Sequence, residues 1–406
     1  MNLLKKSICS ALLLGFSSLV WAAQEYEINS CEDLPTIAND MTGTYYLVNN
    51  IDCLGTPIYP IPGHFLGALV GNGNTIANLH IIVLSDQGND GLFEVLGTHD
   101  STVRPRITDI HFENARVDGG RSSHRGLIAG VAYQADLSNI TVQSLYVNGG
   151  ESGVGNAGGV LGYAEKSILS EVHLSTANIT RGQYGGGLIG VANLGTQILD
   201  SSVNQLKSGY ETCGGDIYAF GGLVGAINNT NEASSKVQIM RSSAQGSITV
   251  EKNGGGLVGR IPTAAYVDIL ESYSNVAITA VRYAGGIIGL AVEDNPYSPR
   301  GNVLVKHVYA RGSVNLDGDK GGRGIVGNKN KSTSRIKSEG SFFDKDGTGK
   351  EYSGDEYTHY VYLGDKTHHK SKGLTSSEMK NAKIFTDAGW SADVWNFGNG
   401  AYPTLK

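Results

Sequence analysis

A short block of glycines and apolar residues recurs along most of the chain. It reads Gly-Gly-Leu-Val-Gly at 221–225 and 255–259, with close variants at 126–130, 158–162, 186–190 and 285–289. Weaker copies lie at 67–71, 91–97 and 323–327. The closing glycines from Gly130 to Gly327 are 28 to 38 residues apart, a period typical of repeat architectures. The chain is therefore predicted to be a repeat protein.

A second pattern with the same period predicts the secondary structure of each repeat. Segments in which apolar and polar residues alternate, such as Leu137–Val142 and Val305–Ala310, follow the blocks. This alternation indicates β-strands, and no helical period competes with it. A unit of two or three short strands cannot bury its own apolar face, so the units must stack. We expect an all-β fold, a parallel β-helix of about nine coils with small capped ends. The strand-like segments open at Ile107, Leu137, Leu169, Ile198, Ile239, Ile269, Val305 and Ile336.

The alternation also predicts which positions of the block face the core. The third position, always Leu, Ile or Val, and the closing glycine point inward, where a side chain on the glycine would cost space. The same alternation predicts that the fourth position points outward, although its residues are apolar. It forms either an exposed apolar ladder or the site of a bulge, and the sequence leaves both open. The fourth-position residues are Ala129, Leu161, Ile189, Val224, Val258 and Ile288.

The first residues have the features of a secretion signal. Lys5 and Lys6 precede an apolar stretch from Ile8 to Val20, and cleavage is expected before Ala23 or one residue later. We divide the chain into a signal peptide (1–22), an N-terminal cap (23–66), the repeats (67–340), and a polar segment with an aromatic cap (341–406). The mature protein is expected to be secreted or on the cell surface, with no transmembrane segment.

Export into an oxidising compartment predicts a disulfide in the N-terminal cap. Cys31 and Cys53 would close a loop of about 22 residues, which is worth about 3 kcal/mol. Cys213 is left over, as a buried thiol or a site of intermolecular pairing. Two capping boxes, at Ser30 with Asp33 and at Thr375 with Glu378, predict a short helix near each end.

Composition and charge narrow the class of partner. The chain has 57 glycines among 406 residues, and its 32 Lys and Arg against 38 Asp and Glu give a net charge of −6. No basic stripe precedes the C-terminal region, so a nucleic-acid partner is not expected. Four matches to the dinucleotide pattern G-x-G-x-x-G coincide with the blocks and lack a following helix, and no cofactor is predicted.

The blocks resemble the GLUG motif, a repeat of bacterial secreted and surface proteins that also occurs in IgA-specific metallopeptidases. The segments Tyr26–Cys31, Tyr45–Cys53 and Phe65–Ile76 resemble the start of such proteins, and Gly373–Met379 resembles their end. The resemblance covers nearly the whole mature chain. It implies a right-handed β-helix and an extracellular, adhesin-like setting, and it implies no chemistry. The His-Glu-x-x-His zinc motif of the peptidases is missing from the chain.

A column of polar residues recurs at equivalent positions of successive repeats. Neighbouring coils would place its members about 4.8 Å apart, close to the separation of the two carboxylates of a retaining glycosidase. Glu171 and Asp200 are the best adjacent carboxylates and the only catalytic candidates. The same column also fits an ordinary solvated strand face. Its members are Asp109, Asn139, Glu171, Asp200, Arg241, Glu271, His307 and Ser338.

Three other regions carry candidate chemistry. Two insertions, Asn228–Lys236 and Val292–Asn302, follow the block at one corner of different coils. Long loops on a rigid scaffold often bind ligands, and the alternative is that both insertions are neutral. Asp344, Asp346 and Asp355 match part of a calcium loop, but the twelfth-position Glu and the flanking helices are missing. The His and Lys residues between 359 and 372 suggest metal or acidic-glycan binding, or a charged loop. The ligand-binding candidates in the insertions are Asn228, Asn229, Asn231, Asp294, Tyr297 and Arg300.

These features favour a non-enzymatic secreted or surface protein that binds a glycan or matrix protein through its lateral face and corner loops. A polysaccharide lyase or glycoside hydrolase that uses adjacent-coil carboxylates is the first alternative. A structural spacer or matrix protein is the second.

Overall fold

The computed structural model describes residues 24–83, 88–119, 124–148, 155–180, 182–208, 218–228, 233–262, 265–292, 301–317, 321–327, 335–355 and 371–406. Within these ranges the chain is a parallel β-helix of about eight coils, so the predicted fold is confirmed with one coil fewer than expected. The predicted signal peptide, Cys213 and the cluster from His359 to Lys370 lie outside the described residues.

Each coil passes through three parallel sheets in the same order. A very short strand leads into the glycine block, the block turns the chain into a strand of four or five residues, and longer strands complete the coil. We call these the short sheet, the block sheet and the long sheet. The short sheet contains eight strands: Asn89–Asp90, His124–Arg125, Asn156–Gly158, Tyr184–Gly186, Ala219–Gly221, Asn253–Gly255, Tyr283–Gly285 and Gly322–Arg323.

The block sheet also has eight strands in the described ranges, most of which begin at the fourth position of a block. They are Ile61–Phe65, Phe93–Leu96, Ala129–Tyr133, Leu161–Glu165, Ile189–Asn193, Val224–Ile227, Val258–Pro262 and Ile288–Val292.

The long sheet is built from 22 described strands, one to three from each coil. They are Glu25–Ile28, Thr44–Leu47, Ile51–Asp52, Ala68–Val70, Thr75–Ala77, His80–Val83, Arg106–Glu113, Ala115–Gly119, Asp136–Asn148, Ile168–Thr180, Gln197–Leu199, Ser202–Ser208, Val237–Met240, Ser243–Val250, Val267–Leu270, Tyr273–Ala280, Asn302–Lys306, Tyr309–Ala310, Val314–Leu316, Arg335–Glu339, Phe342–Asp344 and Lys372–Leu374.

The register of the long sheet confirms the predicted repeat column, except at its last member. Leu137 pairs with Leu169, and the pairing continues in register to Val305. Val305 then pairs with Ser338, whereas Ile336 pairs with Val303. The predicted column is therefore wrong by two residues in the last coil. Because side chains alternate every two residues, a register shift of two leaves the inward and outward pattern unchanged. Such a shift cannot be detected from the sequence.

The fourth position of the block lies at a bulge and not on an exposed ladder. The backbone N–H groups of Val160 and Leu161 both donate to the Leu188 carbonyl, with N···O distances of 2.9 and 3.1 Å. Leu223 and Val224 share the Leu257 carbonyl in the same way. Because two residues face one at this corner, the third and fourth side chains both enter the core, and both Leu161 and Val224 are fully buried.

The N-terminal cap has the predicted disulfide and the predicted helix. Cys31 and Cys53 are bonded, with 5.2 Å between their Cα atoms. A 3₁₀-helix spans Cys31–Asn39, and the Asp33 carboxylate accepts hydrogen bonds from the backbone N–H groups of Asn29 and Ser30 at 2.8 and 2.9 Å. Leu34 and Ile37 of this helix are buried in the main core.

We expect the Cys31→Ser/Cys53→Ser double variant to lose about 3 kcal/mol of unfolding free energy, because its unfolded chain regains the entropy of the opened loop. Thermal unfolding with and without reductant measures the loss. Reductant should destabilise the wild type by a similar amount and leave the double variant unchanged. Equal stability of the two proteins under oxidising conditions would contradict the prediction.

The C-terminal segment folds back along the outside of the helix. This strap, residues 375–406, contains a 3₁₀-helix at Glu378–Lys380, a helix α2 at Ala382–Asp387 and an antiparallel pair of strands, Trp395–Asn396 and Thr404–Leu405. Its helical start has the predicted capping box, in which the Glu378 carboxylate accepts from the Thr375 backbone N–H at 2.8 Å. A helix α1 at Lys345–Thr348 and a 3₁₀-turn at Ala233–Ser235 complete the helices of the described chain.

The aromatic residues of the strap bury the outer face of the last coils, rather than closing the open end of the helix as expected. They form a second core around Tyr273, Tyr309 and Phe342, which are outward-facing neighbours in register on three successive coils. The Tyr309 hydroxyl donates to the Pro403 carbonyl at 2.7 Å, and Trp390 Nε1 donates to the Gly340 carbonyl at 2.6 Å. The buried residues of the second core are Tyr273, Tyr309, Phe342, Leu374, Met379, Phe385, Trp390 and Trp395.

Candidate functional site

The predicted polar column is a corner at which the long sheet bends. Seven of its members have φ between 46° and 60°, in the left-handed region. Asn and Asp tolerate this conformation better than most residues, and β-branched residues are excluded from it. In the last coil Gly340, with φ 52°, takes the corner, and the predicted Ser338 is instead buried. We call the column Asp109, Asn139, Glu171, Asp200, Arg241, Glu271 and His307 the corner ladder.

Side chains of the corner ladder bond along the helix axis from coil to coil. Asn139 Nδ2 donates to Asp109 Oδ1 at 2.6 Å. Arg241 makes a two-pronged contact with Asp200, in which Nε donates to Oδ1 at 2.6 Å and Nη2 donates to Oδ2 at 2.7 Å. These hydrogen bonds raise the pKa of the Arg241 guanidinium above its ordinary value.

Glu171 and Asp200 do lie on adjacent coils, as the sequence predicted. Both oxygens of Asp200 accept hydrogen bonds from Arg241, however, so this carboxylate is already held in an ion pair. Glu171 is exposed and makes no hydrogen bond or ion pair within the described chain. The glycosidase hypothesis stays a prediction, and the Asp200–Arg241 pair counts against it.

A trough runs parallel to the corner ladder on the outer face of the long sheet. Its first wall is the corner ladder from Glu171 to Arg241. Its floor carries Ser202 and Ser243, each two residues after a corner residue, with His173 at one end and Tyr273 at the other. The trough is a cavity of about 560 Å3. A second cavity of about 640 Å3 adjoins it, shares Asn204 and Gln245 with it, and is also lined by Asn275 and Arg311.

The second wall of the trough is a ladder of amides. Asn204, Gln245 and Asn275 occupy the same outward position on three successive coils, each four residues after a corner residue. Gln245 Nε2 donates to Asn204 Oδ1 at 3.1 Å, and Asn275 Nδ2 donates to Gln245 Oε1 at 3.5 Å. In the described chain the Asn204 side-chain nitrogen donates to no protein group, and all three side chains are half-buried.

Sequence reasoning missed this amide ladder. The signal was available, because adding four to the numbers of Asp200, Arg241 and Glu271 gives Asn204, Gln245 and Asn275. The prediction from the sequence covered the corner column alone. The register of the long sheet also shifts between Val203 and Leu206, at a bulge beside Asn204 that the alternation of residues does not predict.

The strap closes one end of the trough. Leu405 and Lys406 line it beside Tyr273, whose ring stacks on Tyr309 with 5.0 Å between centroids. Tyr309 is the next floor residue along the axis, and it is fully buried under the strap. At the other end burial lowers the pKa of His173, which favours the neutral imidazole.

The predicted corner loops are only partly described. Asn228 is exposed at the end of its strand, and Asn229, Asn231, Asp294, Tyr297 and Arg300 lie outside the described residues. Beside the first loop is a cavity of about 320 Å3 lined by Lys236, Asp268 and Glu339, among others. Lys236 forms an ion pair with Asp268 there.

The three carboxylates of the predicted calcium loop all accept hydrogen bonds from protein groups, Asp344 and Asp346 near Ser376 and Asp355 elsewhere. Asp344 accepts from Gly347 N at 2.9 Å, from the Ser376 hydroxyl and from the Tyr402 hydroxyl at 2.5 Å, and so anchors the strap. Asp346 accepts from the Ser376 backbone N–H at 2.8 Å.

Asp355 is buried and accepts from the Ser338 hydroxyl at 2.6 Å and the Ser371 N–H at 3.0 Å. Burial raises the pKa of Asp355. Among the described residues no group of three or more His, Cys, Asp or Glu side chains is arranged to hold a metal ion.

Comparison with known proteins supports the β-helix fold and identifies no specific function or ligand. No protein-family profile matches the chain. It is 34% identical to halomucin of Haloquadratum walsbyi in an alignment of 167 positions that covers 36% of this chain and 2% of halomucin.

The structure is similar to an IgA1 protease with a TM-score of 0.51 and 17% identity, over 86% of this chain and 24% of the protease. A candidate immunoglobulin A1 protease from Bacteroides ovatus aligns over 94% of this chain and 91% of its own, with a TM-score of 0.44 and 15% identity. None of the helices in the described part of the chain is long and apolar enough to cross a membrane.

Proposed function

We propose that this protein is a non-enzymatic extracellular binding protein that holds a linear glycan in the lateral trough. The amide ladder carries the proposal. Asn204, Gln245 and Asn275 present amide donors and acceptors at one-coil intervals, opposite the charged corner ladder and above a floor of serine hydroxyls. Such planar polar groups on a rigid backbone suit the many hydroxyls of a sugar chain.

The lining of the trough favours a glycan over a protein partner. The centre of a protein interface is usually apolar and rich in aromatic residues. Of the large apolar side chains that are exposed in the described chain, none lines the trough, and its one aromatic floor residue, Tyr273, is 8% exposed.

An extracellular location agrees with three observations of different kinds. The Cys31–Cys53 disulfide needs an oxidising compartment to persist. The partial match to halomucin, whose name is that of a mucin-like protein, and the predicted signal peptide point the same way. The resemblance of the blocks to the GLUG motif stays a prediction that fits this setting.

Catalysis is the weaker candidate. The likeness to the IgA1 protease is one of fold, and this chain spans 24% of that protein. The His-Glu-x-x-His motif is missing from the full sequence, and the proposed carboxylate pair includes an Asp200 that is bound to Arg241.

A glycan array probed with labelled protein, residues 24–406, tests the proposal. We expect retention on linear glycans with no loss of the spotted material over time. Gln245→Ala should weaken binding about tenfold, because it removes the central amide of the ladder and its hydrogen bonds. Gln143→Ala is the matched control, since Gln143 is exposed in the same outward column three coils away and outside the trough.

Equal effects of the two substitutions would overturn the assignment of the trough. Erosion of the spots that Glu171→Ala abolishes would favour the enzymatic alternative. An array that retains no protein would favour a structural role.

A further inference from the structure

Resting on the proposed function, we infer that the trough holds a linear pyranose chain parallel to the helix axis, one sugar per coil over three coils, with the strap as a stop at one end. The trough therefore recognises one end of the glycan.

The repeat of the amide ladder sets the direction of the ligand. Successive coils of a parallel β-helix are about 4.8 Å apart. Asn204, Gln245 and Asn275 repeat at this interval along the axis, as do the corner residues Asp200 and Arg241 on the opposite wall. A pyranose unit in an extended chain advances by close to one such interval. Each coil can therefore offer the same pair of walls to one sugar.

An extended peptide does not match this repeat. It advances about 3.4 Å per residue, and side chains on one face recur about every 6.8 Å. Along the axis its side chains would be about 2 Å out of register with the coils at the first repeat. Hydrogen bonds to successive amides of the ladder would then be lost.

Both ends of the trough are defined by described residues. Past Tyr273 the floor continues as Tyr309, which both tryptophans of the strap contact, and as Phe342, which Trp390 contacts. Leu405 and Lys406 of the strap line this end. In the amide column the position after Asn275 is Arg311, whose guanidinium lies over the Tyr402 ring of the strap, 4.6 Å from its centroid. At the opposite end the lining reaches only Glu171 and His173, and the amide position in that coil is a serine. Three amide positions thus lie between a closed and an open end.

Isothermal titration with a length series of the glycan found on the array tests the inference. We expect affinity to rise steeply up to three or four sugars and to change less than twofold beyond that length. Asn204→Ala should make the trisaccharide bind no better than the disaccharide, and Ser175→Ala, in the same column one coil outside the amide ladder, should not. Affinity that keeps rising through six or more sugars, or that is complete with one, would overturn the inference while leaving the proposed function intact.

Attaching a bulky label to either end of the trisaccharide tests the stop. One labelled end should abolish binding and the other should leave it within about twofold. Tolerance of the label at both ends would show that the strap does not close the trough. If no glycan of any length binds and Gln245→Ala has no effect on the array, the proposed function fails and this inference with it.

Discussion

Replacing Gly259 with alanine is expected to lower the unfolding free energy by about 3 kcal/mol or more, or to prevent folding. A Cβ atom at this position would lie 2.4 Å from the Gly225 carbonyl oxygen and 2.7 Å from the Phe220 carbonyl carbon. Both atoms belong to the backbone of the preceding coil, which cannot rotate away as a side chain could. The coils would have to separate, and every hydrogen bond between them in this region would lengthen.

The same contact recurs along the helix, which explains the glycine period. A Cβ on Gly289 would meet the Gly259 carbonyl oxygen at 2.5 Å, and one on Gly327 would meet that of Gly289 at 2.3 Å. From Gly162 to Gly327, each closing glycine lies against the carbonyl of the closing glycine before it. Only a residue without a side chain lets the block sheet and the short sheet approach this closely.

Gly398→Ala is the control for this prediction. The nearest atom to a Cβ there is the Ala401 Cβ at 3.1 Å, so the substitution should change stability by less than about 1 kcal/mol. Urea unfolding followed by far-UV circular dichroism compares the two variants. A Gly259→Ala protein as stable as Gly398→Ala would show that the coils are not in contact at this column.

Replacing Tyr309 with alanine is expected to cost about 3–5 kcal/mol in the attachment of the strap to the last coils. Tyr309 is fully buried between the helix and the strap, and its ring stacks on Tyr273 and contacts Trp390 and Trp395. Its hydroxyl also donates to the Pro403 carbonyl at 2.7 Å. The alanine variant loses the ring and leaves a cavity in the second core.

Tryptophan fluorescence isolates this event, because the only tryptophans outside the predicted signal peptide are Trp390 and Trp395 of the strap. In Tyr309→Ala their fluorescence transition should move to lower urea than the circular dichroism transition of the β-helix. Tyr309→Phe should lose only the hydrogen bond, about 1–2 kcal/mol. Tyr59→Ala, at a side chain that is 50% exposed, is the control and should change neither transition.

Coincident fluorescence and circular dichroism transitions in Tyr309→Ala would contradict a separately attached strap. They would show instead that the strap and the coils unfold as one unit.

The sequence by itself determined the repeat, the parallel β-helix, the disulfide between Cys31 and Cys53, and the inward and outward faces of the strands. These properties are local or periodic. Glycine at a close approach between coils and apolar residues at every second position leave few folds that bury the apolar face, so the pattern alone was sufficient.

Only the tertiary structure decided the features that depend on contacts between distant residues. A register shift of two residues preserves the alternation, so the pairing of Val305 with Ser338 could not be predicted from the sequence pattern. The bulge that buries Leu161 depends on a carbonyl shared with the next coil. The sequence also gave no sign that Trp390 and Trp395 lie against the side of the helix.

The trough depends on these tertiary contacts. It exists because the corner residues turn the sheet, and because the strap stops at Tyr273 and leaves three coils of the amide ladder open. Asn204, Gln245 and Asn275 are far apart in sequence and become one surface only when the coils stack in register.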